Sequence, residues 1–172
     1  MGYGHQRRPP GRTTPRWPIS AAARIPKTSF VAVGTRDGVI ALLGADGTLS
    51  STLGREGSGV LNLAAGAGQR VFAVLDDGHV AAYDAQNRTR LWNRELGPSL
   101  AGAGVGPDSV AYDTRRHRLA VGFVGGYVRL LDPATGETRQ SITVDGQPSP
   151  SSVAFDPGSG LLIAGARDGT LR

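Results

Sequence analysis

Four copies of one eighteen-residue pattern, each ending on a tight glycine turn, constrain this 172-residue chain more than any other feature. They are Ala21–Gly38, Leu61–Gly78, Ser109–Gly126 and Ser152–Gly169, and they align without a gap. In every copy a short apolar strand is followed by a loop, a second apolar strand and the turn. The turn glycines lie 40, 48 and 43 residues apart. Self-similarity at a period of about 40–45 residues, with four strands to a unit, predicts β-propeller blades.

The turns support strands on either side. Asp37-Gly38, Asp77-Gly78 and Asp168-Gly169 are Asp-Gly pairs, and Gly125-Gly126 is the variant. Such pairs predict two-residue type I′ hairpins, which need positive φ at both central positions. The runs beside them, such as Val39-Ile40-Ala41-Leu42-Leu43, are apolar almost continuously. A helix competes for such a run, but its shortness, its bounding glycines and its β-branched residues favour a strand buried on both faces. Stacked blades bury their middle strands in that way. Gln140-Ser141-Ile142-Thr143-Val144 alternates polar and apolar, as an outer strand with one wet face does. Ser109–Tyr112 and Ser152–Phe155 match as the strands that open their units.

The expected fold is therefore all-β: propeller blades of four antiparallel strands, with about three and a half blades present. Units are expected at about 19–58, 59–108, 109–150 and 151–172, the last stopping inside its third strand. Closed propellers have about four to eight blades. The remaining blades are expected from sequence beyond this chain or from another chain, with a truncated gene product the plainer account.

Charge is divided unevenly. Residues 1–36 hold seven basic residues and no acid, while the remainder is acidic by two. Residues 1–18, rich in Pro, Arg and Gly without periodicity, read as a disordered basic tail. A solvated tail, an organelle transit peptide, a phosphate-binding arm and a protein-docking tail all fit it. Nucleic acid is expected as a partner only through this tail. No cysteine is present, so neither a disulfide framework nor a Cys-based zinc site is available. No run of about 18 apolar residues predicts a membrane span. No secretory signal is recognisable, and an intracellular setting, cytoplasm or nucleus, is weakly favoured.

The repeat resembles the WD-repeat and quinoprotein-like β-propellers over residues 19–172. An apolar or aromatic residue followed by Asp closes the third strand at Tyr83-Asp84 and Leu131-Asp132, while Leu43-Gly44 loses the Asp. The Gly-His pair of WD blades occurs only at Gly4-His5, in the tail. The blades are thus degenerate WD-like ones, and the hydrogen-bond network of well-formed WD blades is not expected. The quinoprotein signature Ala-x-Asp-x-x-Thr-Gly-x-x-x-Trp is split between two units. Unit two reads "AYDAQNRTRLW" and keeps Ala82, Asp84 and Trp92 but not Thr-Gly. Unit three reads "LLDPATGETRQ" and keeps Asp132, Thr135 and Gly136 but ends in Gln140. The match concerns packing between blades, where Thr-Gly makes a turn and Trp anchors one blade on the next. It does not by itself imply a quinone, and no cofactor or metal is expected.

The resemblance implies function on the loops. In WD-like geometry the turns between second and third strands share one face with the connections between units. Arg36, Asp37, Asp76, Asp77, His79, Arg167 and Asp168 are placed there, beside Arg55-Glu56. Alternating Arg and Asp can grip a charged peptide through charge-assisted hydrogen bonds, although Asp-Gly also serves turn geometry alone. The longest connection, Gly97–Asp108, suits either a partner or a flexible insertion. His79 and His117 show no nucleophile or second base beside them in sequence. The leading expectation is a non-catalytic scaffold that binds a protein or peptide. A quinone-binding or enzymatic propeller and a tail that associates with nucleic acid are the alternatives.

Overall fold

The computed structural model describes residues 17–97, 106–143, 150–166 and 169–172. The basic tail through Arg16, most of the long connection (98–105), residues 144–149, and Arg167 and Asp168 lie outside them.

The described residues form fourteen strands in four antiparallel sheets, each a simple up-and-down meander. The first sheet contains β1 (Ile19–Arg24), β2 (Val31–Thr35), β3 (Val39–Leu43) and β4 (Leu49–Arg55). The second contains β5 (Val60–Gly66), β6 (Arg70–Leu75), β7 (His79–Asp84) and β8 (Thr89–Glu95). The third contains β9 (Pro107–Asp113), β10 (Arg118–Phe123), β11 (Tyr127–Leu131) and β12 (Thr138–Thr143). The fourth holds β13 (Pro150–Phe155) and β14 (Leu162–Ala166), with one further bridge from Gly165 to Leu171. These are propeller blades. Among the described residues no strand of the fourth sheet pairs with one of the first, so the sheets do not close into a ring.

The first strands lie side by side: β1 contacts β5, β5 contacts β9 and β9 contacts β13. Stacking of successive sheets explains the continuous apolar runs. Side chains alternate across a strand, so β6 sends Val71, Ala73 and Leu75 into the core shared with the first sheet. Phe72 and Val74 go into the core shared with the third. Val80 and Ala82 of β7 likewise oppose Ala81 and Tyr83. A strand wet on one face would carry polar residues at every second position; these two cannot, because both faces are covered. The outer strands β4, β8 and β12 are mostly exposed, and Trp92 is the one fully buried residue of β8.

Each meander sets two ends. Turns between second and third strands, with the connections between sheets, lie at one end. Loops between first and second strands, with turns between third and fourth, lie at the other.

Candidate functional site

The turns at the first end differ from the expected type I′ hairpins. Gly38, Gly78 and Gly126 donate their N–H to Thr35, Leu75 and Phe123, three residues back. The glycines have φ of 82°, 92° and 85°, while Asp37 and Asp77 are not in the left-handed region. At Asp37-Gly38 and Asp77-Gly78 the loop is a type I turn completed by a left-handed glycine, which joins strands with one more residue than type I′. Aspartate serves here as an ordinary turn residue, and glycine alone supplies the unusual φ. In the variant, Gly125 also has positive φ, 119°.

Connections between sheets are hydrogen-bonded to these turns. Glu56 N donates to Gly38 O (2.8 Å), Asp76 N to Gly59 O (2.9 Å) and Leu96 N to Gly78 O (3.0 Å). The turns and connections therefore share a face, as the WD-like geometry implied. Between the first two sheets it opens into a cavity of about 440 Å³, lined by Ser20, Arg36 and Asp76 with Ile19, Val60 and Leu61. Arg36 comes from one sheet and Asp76 from the next. Asp76 also accepts Gly59 N at 3.1 Å, which anchors the connection at the rim.

The other predicted residues separate into local pairs. Asp37 lies 3.9 Å from Arg55, both mostly exposed, an arrangement worth little in water. Asp77 accepts His79 N (3.1 Å) and lies 3.2 Å from its Nδ1. Arg167 and Asp168 lie outside the described residues. Glu56 leaves the face altogether: its carboxylate accepts from the Tyr83 hydroxyl, from Arg90 Nη1 (3.2 Å) and from Asn93 Nδ2 (3.4 Å). Burial, then that carboxylate, push the Tyr83 phenol well above its usual value.

The opposite end is organised by four aspartates. Asp84, Asp113, Asp132 and Asp156 each begin a turn, and each carboxylate accepts backbone N–H groups two or three residues on. The fifth residue of each turn has positive φ: Arg88 (58°), His117 (52°), Gly136 (75°) and Gly160 (74°). The Asn87 amide, with others, holds the Asp84 carboxyl below the usual range. Burial raises the Asp113 carboxyl, but Arg118 at 2.8 Å and two turn amides outweigh it, leaving it lowered. Arg139 and the Ala134 amide lower Asp132, and Ser159 lowers Asp156. The residues that resembled the end of a WD third strand, Asp84 and Asp132, are thus turn caps.

These turns also clamp one sheet on the next. Trp92 Nε1 donates to Pro133 O (3.1 Å), as does Arg70 Nη1 (3.3 Å), and Arg94 Nε donates to Thr135 O (3.1 Å). A Cβ on Gly136 would stand 2.7 Å from Trp92 Cε3. The two halves of the quinoprotein signature meet here: the Trp of one unit packs on the Thr-Gly turn of the next. At the following junction, arginines in and just after the β9–β10 loop reach the β13–β14 loop. Arg115 donates to Pro157 O (3.2 Å), Arg116 to Ser159 O (2.8 Å) and Arg118 to Gly160 O (2.6 Å). Nothing in single-residue composition marked these arginines; the recurring Asp-to-fifth-residue turn was the available signal.

His117, which lacked a visible partner in sequence, has its Nδ1 3.0 Å from the Tyr112 hydroxyl. Among the described residues no three His, Asp or Glu side chains converge as metal ligands. Among them, too, no helix is long and apolar enough to cross a membrane.

The family described as outer membrane protein assembly factor BamB matches residues 14–165. The chain belongs to that family. No curated protein matches it in sequence. Among solved structures it is similar to the computationally designed Ika4 protein, at 21% identity and TM-score 0.74 over 91% of this chain and 90% of that one. It is also similar to the computationally designed Ika8 protein, at 21% identity and TM-score 0.71 over 89% of this chain and 44% of that one. These two likenesses concern the fold alone.

Proposed function

We propose that the chain is a non-catalytic propeller scaffold that binds a protein or peptide segment at the end bearing Arg36 and Asp76. One observation carries this reading. Side chains of opposite charge, contributed by two successive sheets, line one cavity beside a hydrogen-bonded connection. Among the described residues the Arg36 side chain has no ion pair, so its forked donors face solvent, ready for a carboxylate. Asp76, held by the Gly59 amide, fixes the opposite rim of the same cavity. Ile19, Val60 and Leu61 supply apolar wall for a side chain between the two charges. The family description, an assembly factor, accords with work done by contact. The proposal uses no cofactor.

The test is titration of isotope-labelled chain with short extended peptides that pair acidic and basic residues, followed by amide chemical shifts. Shifts are expected at Gly59, Val60 and Asp76, and they should vanish in Arg36→Glu while the spectrum stays folded. Peptide binding that survives Arg36→Glu, or maps elsewhere, removes this face from consideration.

A further inference from the structure

A second cavity, about 450 Å³, opens at the opposite end, where the start of β6 meets the Asp113 and Asp132 turns. Four arginines line it, Arg70, Arg116, Arg118 and Arg139, and one carboxylate, Asp132. Tyr112 and His117 complete the polar wall. Part of this charge is held internally. Arg139 pairs with Asp132, and Arg118 and Arg116 share the buried Asp113 at 2.8 and 3.6 Å. Asp84, beside Arg70 in the strand register, is engaged by its own turn amides and by Asn87. Arg70 donates to a neutral carbonyl. Four guanidiniums therefore line one cavity, where three nearby carboxylates are already committed to turns or to ion pairs and Arg116 and Arg118 also donate to Ser159 O and Gly160 O.

His117 lines the same cavity. It holds φ of 52° at a turn position that Arg88, Gly136 and Gly160 fill in the other turns. The imidazole is fixed at the cavity by the Tyr112 hydroxyl.

We propose that this cavity binds a compact phosphomonoester. Guanidinium donors arrive from β6, from the Asp113 turn and from β12, on separate walls. A planar carboxylate is satisfied by one fork, whereas a tetrahedral dianion uses donors from several directions. The ligand is a small one, to fit a cavity of about 450 Å³. This site is independent of the peptide face at the other end.

The experiment is calorimetric titration of the intact chain with phenyl phosphate, inorganic phosphate and acetate at matched, low ionic strength. Phenyl phosphate should bind with affinity at least about tenfold above acetate, because several forks engage it at once. Inorganic phosphate binding as well as phenyl phosphate assigns the site to the phosphate group; weaker inorganic phosphate assigns it to the ester. Arg139→Gln, at an exposed position, should weaken phosphate binding about tenfold with unchanged melting temperature. Asp132→Asn should strengthen it, a change that a purely structural Asp132 would not produce. Phosphate no better than acetate, or affinity indifferent to both substitutions, overturns the proposal.

Discussion

At one end of this molecule Arg36, Asp37, Asp77 and His79 sit on short turns, exposed or half-buried, in loose pairs or none among the described residues. At the other end Asp84, Asp113, Asp132 and Asp156 cap turn amides, while Trp92 and a set of arginines reach from one sheet to the turns of the next. The residue types are nearly the same and the consequences differ. A carboxylate that accepts two backbone amides in a turn fixes the chain, because its removal leaves those donors without partners. One that faces solvent across a long ion pair fixes little and is available to a ligand. The stitched end holds the sheets in register, and the loose end presents charge.

The largest expected effect comes from the stitched end. Trp92→Ala removes a buried wedge and a hydrogen bond to Pro133, and should cost about 3–5 kcal/mol in urea unfolding. Gly136→Ala attacks the same contact from the other side, since the new methyl meets the indole and φ is 75°. Its cost should shrink in the Trp92→Ala background, and a cycle of the two measures that coupling. Asp113→Ala comes next. It leaves Arg118 and two turn amides without their acceptor and should cost about 2–4 kcal/mol.

Acid should distinguish the ends as well. The Asp84, Asp113 and Asp132 carboxyls are held below the usual aspartate range in the folded chain. Their contribution is complete above the unfolded value and is lost as pH falls through the lower folded ones. Stability should therefore be level above about pH 5 and decline below about pH 4, with a shallower decline in Asp113→Asn. The smallest effect is expected from Asp77→Asn on the exposed turns, within about 0.5 kcal/mol.

Much of the fold was legible because it depends on period. Gly38, Gly78 and Gly126 mark turns by a conformational need that only glycine meets without strain, and the apolar runs between them must be strands covered on both faces. The hairpin type was misjudged at Asp37 and Asp77 because Asp-Gly suits both a type I′ turn and a type I turn with a left-handed glycine. Register two residues away decides between them. The junctions were half legible. Trp92 and Thr135-Gly136 were visible as fragments of one signature, but their contact spans two units and exists only once sheets stack. The arginine clamps were hidden for the same reason: their acceptors are backbone carbonyls, which leave no trace in sequence. The bringing together of Arg36 and Asp76 followed from topology, whereas the loss of Glu56 from that face followed from the position of Tyr83 in the neighbouring sheet.

The division between the two ends can be tested most directly by equilibrium urea unfolding of Arg36→Glu and Asp113→Ala, side by side with the parent chain at pH 7. Asp113→Ala should lose at least about 2 kcal/mol, while Arg36→Glu should stay within about 0.5 kcal/mol. Equal losses, or a larger loss from Arg36→Glu, would contradict the division into an end that holds the sheets in register and an end that presents charge.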